Sequence, residues 1–152
     1  MDGRRFGKTG CAAGLFLLIA LQVGCNGGPS GVVTLNVGGE WIEISTVVSD
    51  QCNLDLPPTA TSDVTIIQSG SQISFVFRSE DFGDTVLAGT FNPRTGDFSL
   101  SFAEQGGGIS VTAVQSGRFT SSSRYTSTSE IVVTQGVQSC TVRTSETGQR
   151  RS

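Results

Sequence analysis

The chemistry open to this chain must come from cysteines and carboxylates, because its 152 residues include no histidine. Histidine is the commonest side-chain general base and a leading zinc ligand. Without it, a triad of the Ser–His–Asp kind cannot be assembled. Catalysis by carboxylates alone would need a matched pair, and none stands out in the sequence. The densest acidic group, Glu80-Asp81-Phe82-Gly83-Asp84, lacks the spacing of an EF-type calcium loop and reads as a solvated hairpin tip. Gly106-Gly107-Gly108 is followed by no Lys, so it reads as a flexible turn and not a phosphate loop. The expectation is a chain that is not an enzyme, with no cofactor and no metal site.

Four cysteines remain to be placed, at positions 11, 25, 52 and 140. Cys11 sits at the edge of an apolar run, and Cys25 follows that run. Cys52 and Cys140 stand apart from both. In an oxidising compartment two such thiols in a small domain read as a disulfide. Closing a loop of that length stabilises by about 4–5 kcal/mol in the chain-entropy account.

The first residues supply the compartment. Arg4, Arg5 and Lys8 precede the apolar run Ala12 to Leu21, which ends in Gln22-Val23-Gly24-Cys25. A basic start, a short apolar segment and small residues before a junction describe a secretory signal peptide. A spanning helix needs about 20 apolar residues. From Cys11 to Val23 there are 13, too few to cross.

The Val23-Gly24-Cys25 junction resembles the lipobox of bacterial lipoproteins. In that family the cysteine thiol receives a diacylglyceryl group and the peptide is cut before it. The family's Leu three places before the cysteine is Gln22 here, with Leu21 one place earlier. The resemblance implies lipidation of Cys25 by two or three acyl chains, enough for durable anchoring. Asn26 is not the Asp that marks inner-membrane retention in many such proteins, so the resemblance implies the outer membrane, on its periplasmic or surface face. If Cys25 is incidental, the same signal peptide delivers a secreted protein.

The organisation expected is therefore a signal peptide over 1–24, a lipidated Cys25 with a flexible tether over 25–38, and a β-barrel domain over 39–152. The tether reading rests on Asn26-Gly27-Gly28-Pro29-Ser30-Gly31, which offers nothing to a core. Beyond residue 24 the chain keeps seven of ten basic residues and twelve of thirteen acidic ones, a net charge of −5, and no lysine. Nucleic-acid binding needs a basic face to offset phosphate charge, and that class is excluded.

The elements that must position these groups all read as strands. Short runs of alternating apolar residues are broken by Gly, Asn, Asp and Ser, and no window keeps a helical period. Val64 to Gln68 and Ile73 to Phe77 flank a Ser-Gly-Ser turn. Leu87 to Phe91 and Phe98 to Phe102 flank Asn92-Pro93-Arg94-Thr95-Gly96. A third hairpin is expected from Ile109 to Val114, turning at Gln115-Ser116-Gly117 and continuing through Phe119. A fourth turns at Gln135-Gly136 between Ile131 to Val133 and Cys140 to Arg143. With an opening strand from Trp41 to Val48, this gives about eight antiparallel strands with connections too short for crossover helices. Apart from the signal helix the fold class is all-β, an up-and-down meander that closes into a barrel and so removes its edges.

Gly39-Glu40-Trp41 resembles the Gly-x-Trp of the first strand in lipocalins and other calycins, eight-stranded barrels that hold small apolar ligands. In that family the tryptophan packs under an arginine from the last strand. The resemblance implies Trp41 and Arg143 as the barrel-closing pair. A register with Cys52 opposite Cys140 places Arg151 opposite Trp41 instead, leaving Arg150 or Arg151 as rivals.

From Phe119 to Val133 alternate positions share one face: Ser121, Ser123, Tyr125, Ser127 and Ser129 among them. That face either lines a semi-polar cavity or belongs to a long solvated strand. Two functions follow. One is a membrane-tethered barrel that holds a small apolar ligand. The other is a structural or interaction lipoprotein with a filled barrel, whose partner is another envelope protein.

Overall fold

The computed structural model describes residues 34–79 and 83–152. The expected signal peptide, Cys25, most of the tether, and Glu80, Asp81 and Phe82 lie outside the described residues. Eight antiparallel strands form one closed barrel in sequence order: β1 (Gly39–Asp50), β2 (Thr59–Ser69), β3 (Gln72–Phe77), β4 (Thr85–Phe91), β5 (Asp97–Gly106), β6 (Ile109–Ser121), β7 (Arg124–Gln135) and β8 (Gln138–Arg150). Among the described residues there is no helix. The all-β, up-and-down barrel expected from the sequence is the observed fold.

Alternation explains the wall. Val64 and Ile66, Ile73 and Phe75, Phe98 and Leu100 are buried, while the residues between them are exposed or half-buried. Each strand therefore turns one face inward, as a period of two requires.

The third hairpin differs from expectation. Gln115-Ser116-Gly117 is not a turn. It runs through the middle of β6, and Gln115 points inward, 1% exposed. The chain turns instead at Gly107-Gly108 and at Ser122-Ser123. Gly117 is a glycine for another reason. A Cβ there would lie 2.6 Å from the Ser127 Cβ across the strand pair, so the glycine permits close approach and not a bend.

Register decides which arginine meets Trp41. Ser49 opposes Arg143 and Asp50 opposes Val142, consistent with Cys52 facing Cys140. A bulge at Val48 then shifts the pairing by one residue, and Trp41 opposes Arg150. Neither Arg143 nor Arg151 takes that place. Arg143 faces outward near the opposite end of the barrel, where its Nε donates to Glu130 at 2.8 Å. The correction follows from strand direction: β8 runs toward Trp41, so only its last residues reach that end.

The barrel has two unlike ends. At the end where β1 starts, Trp41, Phe75, Phe91, Phe98, Phe119 and Tyr125 pack as one aromatic cluster, each at most 4% exposed. Trp41 meets Phe119 edge-on with ring centroids 5.5 Å apart. Residues 34–38, the end of the expected tether, are not loose. They cross this end as a strap because Val37 is apolar and fully buried. The Trp41 indole donates to the Val37 carbonyl at 2.9 Å, and Val37 N–H donates to Gln68 Oε1 at 2.8 Å. Leu35 N–H donates to the Pro93 carbonyl at 2.9 Å, and the Arg150 guanidinium donates to the Gly38 carbonyl.

The opposite end is built from the longer hairpins and the Cys52–Cys140 disulfide, whose Cα atoms are 5.0 Å apart across 88 residues of sequence. The bridge expected from the sequence is present.

Candidate functional site

Between the two ends the interior is polar. Glu43 of β1, Gln115 of β6, Ser127 of β7 and Glu146 of β8 are all buried, at 3%, 1%, 7% and 3% exposure. Burying two carboxylates is costly unless donors surround them. Those donors come from the same strands. Glu43 Oε2 accepts from the Tyr125 hydroxyl at 2.6 Å and from Gln115 Nε2 at 3.0 Å. Glu146 accepts from the Ser127 hydroxyl at 2.8 Å and from the Thr144 hydroxyl. Gln115 Nε2 also donates to Ser127 at 3.0 Å, joining the two carboxylates into one network.

One glycine makes the geometry possible. Glu43, Gly148 and Tyr125 are register neighbours across β1, β8 and β7. A Cβ at Gly148 would lie 1.9 Å from the Tyr125 ring. The empty position on β8 lets that ring lie over the strand and reach Glu43.

The electrostatics follow from burial. Desolvation raises the Glu43 carboxyl above its ordinary value, and the charge of Glu146 adds to this, while the bonds from Tyr125, Gln115 and Ser45 oppose it. Desolvation, and then the Glu43 charge, raises the Tyr125 phenol, so it remains a donor. Among the described residues, the hydrogen-bond donors to the two carboxylates are all neutral. The ion pairs Arg118–Asp97, Arg143–Glu130 and Arg151–Asp63 are solvent-exposed.

The Ser- and Thr-rich strand thus faces inward at Tyr125, Ser127 and Ser129, not as a solvated ribbon. Its mid-strand hydroxyl serves the carboxylates. Sequence reasoning passes over Glu43 and Glu146 and reads Gln115 as part of a turn; the three are scattered along the chain. The available signal is a charged residue at the inward phase of an alternating strand, as in Trp41-Ile42-Glu43. Of the residues singled out from sequence, Trp41 lies near this site, with its ring 5.4 Å from that of Tyr125. Arg143 and the disulfide lie away from it.

Toward the disulfide end, the next inward positions, Ser45, Ser129 and Thr144, are half-buried. Val111, Ile131 and Val133 also face inward and stay half-buried, as do Phe77 and Phe102, which pack against the aromatic cluster. Two open grooves lie on the outer wall. One, of about 960 Å³, runs along Ile42, Ile44, Thr126 and Gln149. The other, of about 570 Å³, includes Val48, Val114, Thr128 and Arg143. Compared with protein families, curated proteins and solved structures, the chain matches none.

Proposed function

We propose that this is a non-enzymatic envelope lipoprotein, anchored at the outer membrane through acylated Cys25, whose barrel holds a small apolar ligand at its disulfide end. The observation that carries the binding reading is that the inward-facing apolar residues Val111, Ile131 and Val133, and Phe77 and Phe102 packed against the aromatic cluster, remain half-buried. Ligand sites combine apolar walls with a few placed polar groups. The resemblance of Gly39-Glu40-Trp41 to the calycin opening motif agrees with this use of a barrel.

Native mass spectrometry of the purified full chain tests the ligand: a co-purified small molecule lost on Phe102→Glu supports it. A bare protein that also takes up no apolar probe dye sinks it. Fractionation tests the anchor. Cys25→Ser should move the protein into the soluble fraction, and a wild type that is already soluble and carries no lipid mass rules the anchor out.

The second reading is an interaction protein using the outer wall. It is favoured by Val48 and Val114, which are 67% and 49% exposed beside one groove.

A further inference from the structure

A carboxylate, a hydroxyl, an amide and a second carboxylate stand in one row inside the barrel. The Ser127 hydroxyl donates to Glu146 Oε2 at 2.8 Å. Gln115 Nε2 donates to Ser127 Oγ at 3.0 Å and to Glu43 Oε2 at 3.0 Å. A hydroxyl within hydrogen-bond reach of a carboxylate has the arrangement of an activated nucleophile. Here that hydroxyl stands beside an amide of its own chain, one bond from the amide carbon.

Local structure forces the approach. Gln115 of β6 is two residues before Gly117, which opposes Ser127 of β7. A Cβ at Gly117 would lie 2.3 Å from the Thr126 carbonyl oxygen and 2.6 Å from the Ser127 Cβ, so glycine lets the two strands close at this point. Gln115 and Ser127 are 1% and 7% exposed. Bulk water is kept from both, so an acyl bond formed there is shielded from hydrolysis. Gln115 Oε1 is buried without a hydrogen-bond partner among the described residues, so the site does not satisfy the amide it holds.

We propose that Ser127 and Gln115 join in an intramolecular ester that ties β6 to β7 and releases ammonia. The structure holds the two reactants before the bond forms. Glu146 takes the hydroxyl proton as Ser127 Oγ attacks the Gln115 side-chain carbonyl carbon. As that carbon becomes tetrahedral, the amide nitrogen loses its conjugation, and the freed lone pair takes a proton from the Glu43 carboxyl. The C–N bond breaks, the new C–O bond stays, and ammonia leaves. Glu43 ends ionised and Glu146 protonated, so the charge of the network is unchanged and no oxidant or cofactor is consumed.

Two carboxylates in unlike surroundings divide the acid and base roles. Desolvation raises the Glu43 carboxyl, which suits it as the acid. The Tyr125 hydroxyl fixes Glu43 at 2.6 Å, and the Thr144 hydroxyl fixes Glu146. Ammonia is protonated and diluted once it reaches water at neutral pH, which makes the step one-way. An ester carbonyl is also a weaker acceptor than an amide carbonyl, so conversion lessens the cost of the unpartnered oxygen. The cross-link does not depend on the ligand reading above.

Peptide mapping of the purified full chain by mass spectrometry tests the bond. After denaturation and reduction, trypsin cuts beyond Arg94, Arg118, Arg124 and Arg143, so Gln115 and Ser127 fall on separate peptides. The expected result is one branched species joining Thr95–Arg118 to Tyr125–Arg143, lighter than their sum by one ammonia and split by hydroxylamine. Ser127→Ala should release the two peptides unjoined. Glu146→Gln keeps both reactants and removes the base, so joining should slow by about 100-fold or more, and Glu43→Gln should slow it for want of the acid. Two separate peptides of full sequence mass from the unmodified chain overturn the proposal, a result that needs no variant to fold. Joining that proceeds undiminished in both Glu43→Gln and Glu146→Gln overturns it as well, because the carboxylates would then have no part in the reaction.

Discussion

The strapped end and the disulfide end of this barrel solve the same closure problem by opposite means. At the strapped end, large aromatic rings fill the interior and residues 34–38 cross it. Stability there comes from burial and is local to packing. At the disulfide end the inward residues stay half-buried, and a covalent bridge ties β8 to the chain just beyond β1. That end is held by a cross-link and leaves its inner face accessible. A barrel filled at both ends would be a solid body. This one is filled at one end and only half-buried at the other, with the acidic network in its interior.

The contrast can be broken most forcefully at Trp41. Trp41→Ala should cost about 3–5 kcal/mol, measured by urea unfolding, because it removes the centre of the aromatic cluster. A loss below about 1 kcal/mol would mean that the strap and not the rings closes that end. Next is the bridge. Replacing Cys52 and Cys140 together by Ala should cost about 2–4 kcal/mol and loosen the disulfide end first. Hydrogen exchange of β7 and β8 amides near Cys140 would report that; uniform loosening along both strands would contradict the division.

Tyr125→Phe tests the network itself. It leaves Glu43 short of one donor in a buried site and should cost about 1–3 kcal/mol in thermal unfolding near neutral pH. The pH dependence has a defined sign. The Glu43 carboxyl is raised in the folded state, so folding takes up a proton between its ordinary value and the raised one. Its contribution is full below the ordinary carboxylate value and is lost as pH rises through the folded one. Asp97 runs the other way. The Arg118 bond lowers it, so its contribution holds at neutral pH and is lost on acidification. Urea midpoints of wild type and Glu43→Gln across this range should converge at low pH and diverge as pH rises, with the wild type falling. The smallest effect belongs to Arg143→Ala, about 0–1 kcal/mol, because its pairing with Glu130 is exposed. A larger loss would restore Arg143 to a closing role.

Several features are legible in the residues alone. Alternation in Ile73-Ser74-Phe75-Val76-Phe77 and Phe98-Ser99-Leu100-Ser101-Phe102 assigns their strands and inward faces. Asn92 to Gly96 marks its turn, with Gly96 at φ 82°. Gln115-Ser116-Gly117 misleads because glycine near polar residues signals turns more often than close strand approach. The identity of the closing arginine is hidden behind a bulge at Val48, which is one extra residue with no strong local signature. The network of Glu43, Gln115 and Glu146 is hidden for a similar reason. Its members are brought together by register around the barrel, and pairing of β1 with β8 joins Glu43 to Gly148, far apart along the chain.

The sequence by itself determined the strand period, the turns at Ser69-Gly70-Ser71, Asn92 to Gly96 and Gln135-Gly136, the cysteine pair and the exclusion of histidine chemistry, because these depend on residue type and short-range spacing. Only the tertiary structure decided which arginine sits by Trp41 and which strand face turns inward at Ser127. Only it showed that two distant glutamates share one buried site. Closure of the sheet fixes register across strands that no local pattern connects, and a slip of one residue turns every side chain to the other face.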